Sequence, residues 1–295
     1  MASYNFSTSS SLTSVSSSSS FSSSSSLHYW LEEYWQEVGD PRVAHLPFMT
    51  SSAPAITLLL LYAAFITAVG PRLMSTRAPF SLKTPMILYN LLMSLANGYF
   101  FVQILRLHFI SAEAPPFNAR FPSLQDSSPS TRSIIRLHYL YILSKFVDLL
   151  DTVFFVLRKK RSQITALHFY HHLSVPVQGW TYFRLCGSDH LSASFGLWNS
   201  LVHTIMYAYY GLSATGNPAF LGGLRRAKPY ITQLQIVQFV GLISFALYFI
   251  ANNVGYPAYF TLNLLLQSAL YIVLFTRFYL QSYSYSSNEQ GKRIK

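Results

Sequence analysis

From residue 53 onward, long apolar runs alternate with short polar breaks that carry Pro, Gly, Arg or Lys. A membrane-crossing helix needs about 20 mainly apolar residues. Seven runs qualify, at roughly 53–70, 85–109, 134–157, 164–183, 190–212, 230–250 and 256–280. The pattern predicts an all-α fold, a polytopic membrane protein with seven transmembrane helices. Ahead of the runs, serine dominates from Ser7 to Ser26. Such a stretch buries too little apolar surface to offset chain ordering and reads as disordered. It lacks the basic start and apolar block of a signal peptide. Residues 27–52, with Trp30, Trp35, Glu32, Glu33, Glu37 and Asp40, read as a short lumenal or interfacial helix and linker. The expected organisation is a disordered Ser-rich lumenal tail and linker over 1–52, a transmembrane domain over 53–283 and a basic cytosolic tail over 284–295.

Composition agrees. The chain is 51% hydrophobic, 16% aromatic and 11% charged, against about 25% charged in soluble domains. It cannot readily cover a water-facing surface. A net charge of +11 would point to nucleic acid in a soluble protein. Here it reads as basic loops that set membrane orientation, with no nucleic-acid partner. The single cysteine, Cys186, excludes an internal disulfide, a cysteine zinc cluster and a two-cysteine redox pair.

Basic residues in alternate loops divide 14 to 4. The rich side holds Arg72, Arg77 and Lys83, the run Arg158–Arg161, then Arg225, Arg226, Lys228, Arg277 and the terminal Lys292, Arg293 and Lys295. The poor side holds Arg42, Arg120, Arg132 and Arg184. The expected topology is a lumenal N-terminus and a cytosolic C-terminus, a parity that needs an odd number of spans. Asn5-Phe6-Ser7 is then a lumenal glycosylation sequon. The terminal Lys292-Arg293-Ile294-Lys295 is similar to a dilysine retrieval signal of the endoplasmic reticulum, and equally to a plain basic tail.

Polar residues inside the runs carry the candidate chemistry. A mid-bilayer charge costs about 2.5–3.5 kcal/mol, so such charges face the protein interior and mark function by default. The third run holds Lys145, Asp148 and Asp151 at i, i+3, i+6, followed by Thr152. The fourth holds His168, His171 and His172 at i, i+3, i+4. The fifth aligns Asn199, His203, Met206, Tyr207 and Tyr210, and the sixth Thr232, Gln235 and Gln238. Each stripe taken singly also suits an ion cluster or polar helix packing. Counted from the basic loops at about 1.5 Å per residue, all four lie in the cytosolic half. The lumenal halves hold Trp180, Phe183, Phe195, Phe245 and Phe249. The expected site is a polar pocket open to the cytosol above a deep apolar space, suited to an amphipathic substrate with a charged head and an acyl tail.

Four strings in order, Lys145-Phe-Val-Asp148-Leu-Leu-Asp151-Thr152, His168-Phe-Tyr-His171-His172, Asn199-Ser-Leu-Val-His203-Thr-Ile-Met206-Tyr207 and Thr232-Gln-Leu-Gln235-Ile-Val-Gln238, together resemble the ELO family of membrane fatty-acid elongases. The histidine box alone is shared with desaturases and hydroxylases; the ordered set is specific, and spans roughly residues 50–283. The serine-rich start is similar to plant members. The family usually has Glu where this chain has Asp148. The resemblance implies seven spans, six of them around an acyl-chain tunnel closed toward the lumen, in the endoplasmic reticulum membrane. It implies a decarboxylative Claisen condensation of a long-chain acyl-CoA with malonyl-CoA, with no metal or redox cofactor. His171 would take the acyl group and His203 would lie beside the reacting carbon. Membrane lipid and the reductases and dehydratase of the elongation cycle are the implied partners, with homo-oligomerisation left open.

The residues suit that chemistry on their own terms. Neutral imidazole attacks a thioester, and an acyl-imidazole is activated enough to pass its acyl group on. Water would destroy it, which favours a site inside the membrane. Loss of carbon dioxide leaves an enolate whose oxygen needs hydrogen-bond donors. His168, His172, Asn199, Gln235 and Tyr207 are candidates. Asp148 and Asp151 would orient the imidazoles, and Lys145 would neutralise those acids or meet a CoA phosphate. Lys145, Asn199, Tyr207, Thr232, Gln235 and Gln238 form the substrate-binding set. Two other classes compete. A di-iron desaturase or hydroxylase would use the histidines and aspartates as ligands, but needs more histidine boxes. A lipid or ion transporter would leave three histidines on one stripe unexplained. Trp180, Phe183 and Phe249 are candidates for the floor of the apolar space.

Overall fold

The computed structural model describes residues 23–110 and 123–284. The serine run to residue 22 with Asn5, the loop residue Arg120 and the tail from residue 285 with Lys292, Arg293 and Lys295 lie outside the described residues. Among the described residues all regular structure is helical.

The linker holds short helices: α1 (Ser23–His28), a π-helical stretch Tyr29–Glu33, α2 (Tyr34–Val38) and α3 (Pro41–Ala44). Asp40 starts α3 by accepting the Arg42 N–H, with Pro41 behind it at the position that needs no donor. Then come α4 (Ala53–Ala64), continued through Phe65–Val69 into α5 (Gly70–Ser75), and α6 (Lys83–Ile104), continued through Leu105–Ile110. After the loop lie α7 (Pro129–Val147), α8 (Leu150–Leu157), α9 (Ala166–Cys186), α10 (His190–Thr215), α11 (Pro218–Ala251) and α12 (Ala258–Tyr279). Side-chain caps fix several starts: Ser128 on α7, Thr165 on α9, Asn217 on α11, and a reciprocal Asp189–Ser192 capping box on α10.

Four stretches are long and apolar enough to cross a membrane: Ala53–Ser75, Lys83–Ile110, Pro218–Ala251 and Ala258–Tyr283. The helices between them, α7 to α10, carry Lys145, the three histidines, Gln178, Arg184, Asn199 and His203, which lower their hydropathy. Two stretches differ from the sequence expectation. The run 134–157 is broken at Asp148–Leu149, where the chain tightens through Leu149 N–H to Phe146 O (3.3 Å) and Asp151 N–H to Asp148 O (3.2 Å). Neither Pro nor Gly marks this break; the fixed side chains of Lys145, Asp148 and Asp151 hold a 3₁₀-like step. Second, α11 starts at Pro218 rather than near residue 230, so Arg225, Arg226 and Lys228 sit on helix rather than loop.

α6 packs along α10 and α12 along α11. Ser94 Oγ of α6 donates to Thr204 O of α10 at 2.9 Å, a small-residue contact common between buried helices. Leu88, Leu91, Leu92 and Leu95 of α6 face outward and exposed, an apolar surface suited to lipid. At the far end of α9 the linker is clasped to the bundle. Arg42 Nη2 meets the buried Asp40 Oδ2 at 2.6 Å, while Arg184 donates to the carbonyls of Asp40 and Trp35. Gly187 ends α9 at φ +62, and a Cβ there would lie 2.6 Å from Asp40 Oδ2, so both backbone and space require glycine.

Candidate active site

The α7–α8 step presents Lys145, Asp148 and Asp151 to the polar face of α10. Lys145 Nζ pairs with Asp148 Oδ2 at 2.9 Å and donates to Asn199 Oδ1 at 3.2 Å. Tyr141 donates to the same Asn199 oxygen at 2.8 Å. Tyr207 OH lies 2.8 Å from Asp148 Oδ1 and 2.9 Å from Asp151 Oδ2. A hydroxyl has one proton, so both contacts are hydrogen bonds only when a carboxyl supplies a second. Two acids and one lysine then form a neutral cluster, the arrangement that low dielectric favours. Lys145 is 2% exposed, with its ammonium on Asp148 and Asn199. Asp148 reaches both Lys145 and Tyr207 despite its short side chain.

α9 crosses beside this cluster with its histidines. His168 Nε2 lies 2.8 Å from Thr152 Oγ1, and Tyr62 OH donates to that same oxygen at 2.7 Å. Because Tyr62 donates to Thr152, the threonine proton is directed at His168 Nε2. The His168 and His172 rings are 4.2 Å apart, and His171 faces His203 at 6.3 Å with nearly parallel planes. His203 Nδ1 is 3.7 Å from Asp148 Oδ2 and has no hydrogen-bond partner among the described residues.

Two cavities lie near this level. A wide one of about 540 Å³ is lined by Asp151, His168, His171, His172, His203 and Gln235, with Arg158 and Lys228 in its wall. A narrow one of about 100 Å³ runs from Lys145 and Tyr271 past Val175, Phe195 and Phe239 to Phe183 and Gly187. Tyr271 walls the narrow cavity and lies 5.7 Å, ring to ring, from His171 in the wide one. Among the described residues, no three His, Cys, Asp or Glu side chains converge as a metal-binding group.

The GNS1/SUR4 family pattern, ELO, matches residues 47–291. The chain belongs to this family. It is similar to the very long chain fatty acid elongase 7 of Rattus norvegicus, 35% identical over 266 residues covering 88% of this chain and 89% of that one. It is also similar to the very long chain fatty acid elongase 1 of Homo sapiens, 34% identical over 269 residues covering 88% and 91%. A very long chain fatty acid elongase of Aedes aegypti is 34% identical over 259 residues, covering 88% and 70%.

In this ELO member the motif residues are not all equally placed. His168, His171, His172, His203, Asp151, Tyr207, Thr232 and Gln235 line the wide cavity. Asp148 and Asn199 stand behind it, bonded to Lys145, which walls the narrow one. Gln238 is buried and lines neither cavity. Of the floor candidates, Phe183 lines the narrow cavity. Trp180 instead packs on Trp35 and donates to Phe48 O, and Phe249 packs on Phe245 and Tyr256. Sequence reasoning did not single out Tyr62, Tyr271 or Tyr89, whose hydroxyl lies 3.5 Å from that of Tyr207. Their runs read as mainly apolar, and only a tyrosine's polar tip hinted at buried partners. Cys186 closes α9, fifteen residues beyond His171, about 22 Å along the helix, so it is no nucleophile for this site.

Proposed function

We propose that this elongase-family chain is the condensing enzyme of fatty-acid elongation, joining a long-chain acyl-CoA to malonyl-CoA to give 3-oxoacyl-CoA, CoA and carbon dioxide. The observation that carries the reading is a wide polar cavity lined by His171 and a narrow, mainly apolar one lined by Tyr271, whose rings lie 5.7 Å apart. The polar cavity suits CoA, with Arg158 and Lys228 available to its phosphates. The narrow cavity suits the acyl tail, and in this reading the chain passes into it beside Tyr271.

In the first half-reaction a lone pair of His171 attacks the thioester carbonyl. The C–S bond breaks, and the imidazole proton leaves with sulfur as CoA thiol. In the second, malonyl-CoA loses carbon dioxide, and its enolate carbon attacks the acyl-imidazole. The C–N bond breaks and His171 regains a proton from solvent. His203, 6.3 Å from His171 ring to ring, donates to the enolate oxygen in this reading. Asp148, Asp151 and Lys145 hold Tyr207 and Asn199 and thereby the α10 wall. The reaction calls on no metal or redox cofactor in this reading. The chain crosses the endoplasmic reticulum membrane seven times, with its N-terminus lumenal and C-terminus cytosolic. The reductases and dehydratase of the cycle are its partners. A test is expression in elongase-deficient cells with fatty-acid profiling. New chains two carbons longer support the proposal; an unchanged profile with protein present, together with purified protein inert toward acyl- and malonyl-CoA, overturns it.

A further inference from the structure

The narrow cavity is not uniformly apolar. Gln178 of α9 and Asn263 of α12 both line it. Each sits on its helix's inward stripe, Gln178 between Val175 and Tyr182, Asn263 between Phe260 and Gln267. Gln267 is satisfied by Tyr170 OH at 2.9 Å. Neither Gln178 nor Asn263 has a hydrogen-bond partner among the described residues. Both lie between the same two contacts of α9 with α12. Above them Ser174 and Tyr271 are bonded at 2.6 Å, and below them the Tyr182 and Phe260 rings pack at 4.5 Å. Gln178 lies seven residues beyond His171, about 10 Å of helix. Asn263 lies eight residues beyond Tyr271, about 12 Å.

An amide offers two donors and an acceptor. Water serves it while the cavity is empty. A saturated chain filling the cavity displaces that water and returns no partner, leaving two stranded amides. A chain with an acceptor at that depth does not. We propose that the narrow cavity selects acyl chains carrying a hydrogen-bond acceptor in their interior, the π-face of a cis double bond or a hydroxyl oxygen, held by the Gln178 and Asn263 amides. This rests on the acyl-tail reading of the cavity given above. An extended chain advances about 1.3 Å per carbon, given C–C bonds of about 1.5 Å. The amides therefore face about the eighth to tenth carbon from the thioester. N–H groups donate weakly to π-faces and more strongly to hydroxyl oxygen, so the two chemistries are graded rather than exclusive.

The test is kcat/KM of the purified full chain with malonyl-CoA and five C18 acyl-CoAs: saturated, cis-Δ6, cis-Δ9, cis-Δ12 and 9-hydroxy. The expected order puts cis-Δ9 about threefold and 9-hydroxy about tenfold above the saturated chain, with cis-Δ6 and cis-Δ12 near it. Gln178→Leu and Asn263→Leu, singly and together, should flatten this order mainly by improving the saturated chain. Equal kcat/KM across the five overturns the proposal, as does a preference that persists in the double variant. Displacement of a fluorescent acyl-CoA by the same five, with malonyl-CoA omitted, reads the same order by binding. Absence of condensation with every chain would sink the elongase reading, while the displacement order would still decide this one.

Discussion

The two ends of α9 solve opposite problems. Around His168 and His171 it faces a wide cavity whose lining comes from six helices, α6 and α8 through α12, and the loop between α8 and α9. Around Arg184 and Gly187 it is sealed by the linker, with Asp40 and Arg184 both 0% exposed. Both ends bury charge, but differently. At the first, Asp148 and Lys145 are paired side chain to side chain, and His203 Nδ1 is left without a hydrogen bond. At the second, Asp40 is gripped by Arg42 through three close contacts, and Arg184 donates from Nη1 and Nη2 to backbone carbonyls while its Nε has no hydrogen bond. Unspent hydrogen-bonding capacity lies at both ends, but at the open end its residues, Asn90, His203 and Tyr283, line a cavity, whereas at the closed end Arg184 Nε and Ser188 Oγ are sealed in.

The sharpest break of this comparison is at the open end. His171→Ala should lower condensation about 10³-fold or more, as loss of a nucleophile does, with the thermal midpoint little changed. Loss of fold in place of activity would make His171 structural. Next in size, Asp148→Ala leaves Lys145 charged, buried and unpaired, at about 3–5 kcal/mol. Unfolding scans in detergent should show a large drop, whereas Asp148→Glu, the residue usual in the family, should retain fold and activity. A stable, fully active Asp148→Ala protein would remove the acid cluster from the account.

At the closed end, Arg42→Ala should cost stability on a similar scale, about 3 kcal/mol, while the folded fraction keeps its turnover. A specific loss of turnover at unchanged stability would mean the clasp acts on the site. Phe183→Ala should lengthen products by about one two-carbon cycle, because Phe183 lines the narrow cavity. Trp180→Ala and Phe249→Ala should not, since neither lines it. Product profiles from the three variants check this directly. The smallest effect belongs to Tyr62→Phe, which removes one hydrogen bond to Thr152, worth about 1 kcal/mol. A modest fall in turnover with unchanged substrate affinity is expected.

What the sequence made legible follows from periodicity. Histidines at i, i+3, i+4 share a face in any α-helix, so their convergence with His203 and Asp151 needed only depth matching. What it hid depends on tertiary pairing. Arg42 and Arg184 counted as loop charges, yet Arg184 is the last turn of α9 and buried. No local signal gives that, because each partner looks like an ordinary charge until Asp40 folds between them. The Asp148–Leu149 break has no Pro or Gly to announce it. Tyr62 lies in an unbroken apolar run, and only the approach of α8 gives its hydroxyl a partner. Gln178 and Asn263, which interrupt the narrow cavity, were not singled out, because an amide in an apolar run reads equally as helix packing.

The central claim is that the acyl group moves to His171 before malonyl-CoA acts. The most direct measurement is CoA release from acyl-CoA alone by purified protein, with mass mapping of the peptide bearing His168, His171 and His172. The account predicts up to about one equivalent of CoA per chain, an acyl adduct on His171, and neither in His171→Ala. Release of CoA only when both substrates are present, with no acyl-protein formed, would contradict it and leave His171 a general base.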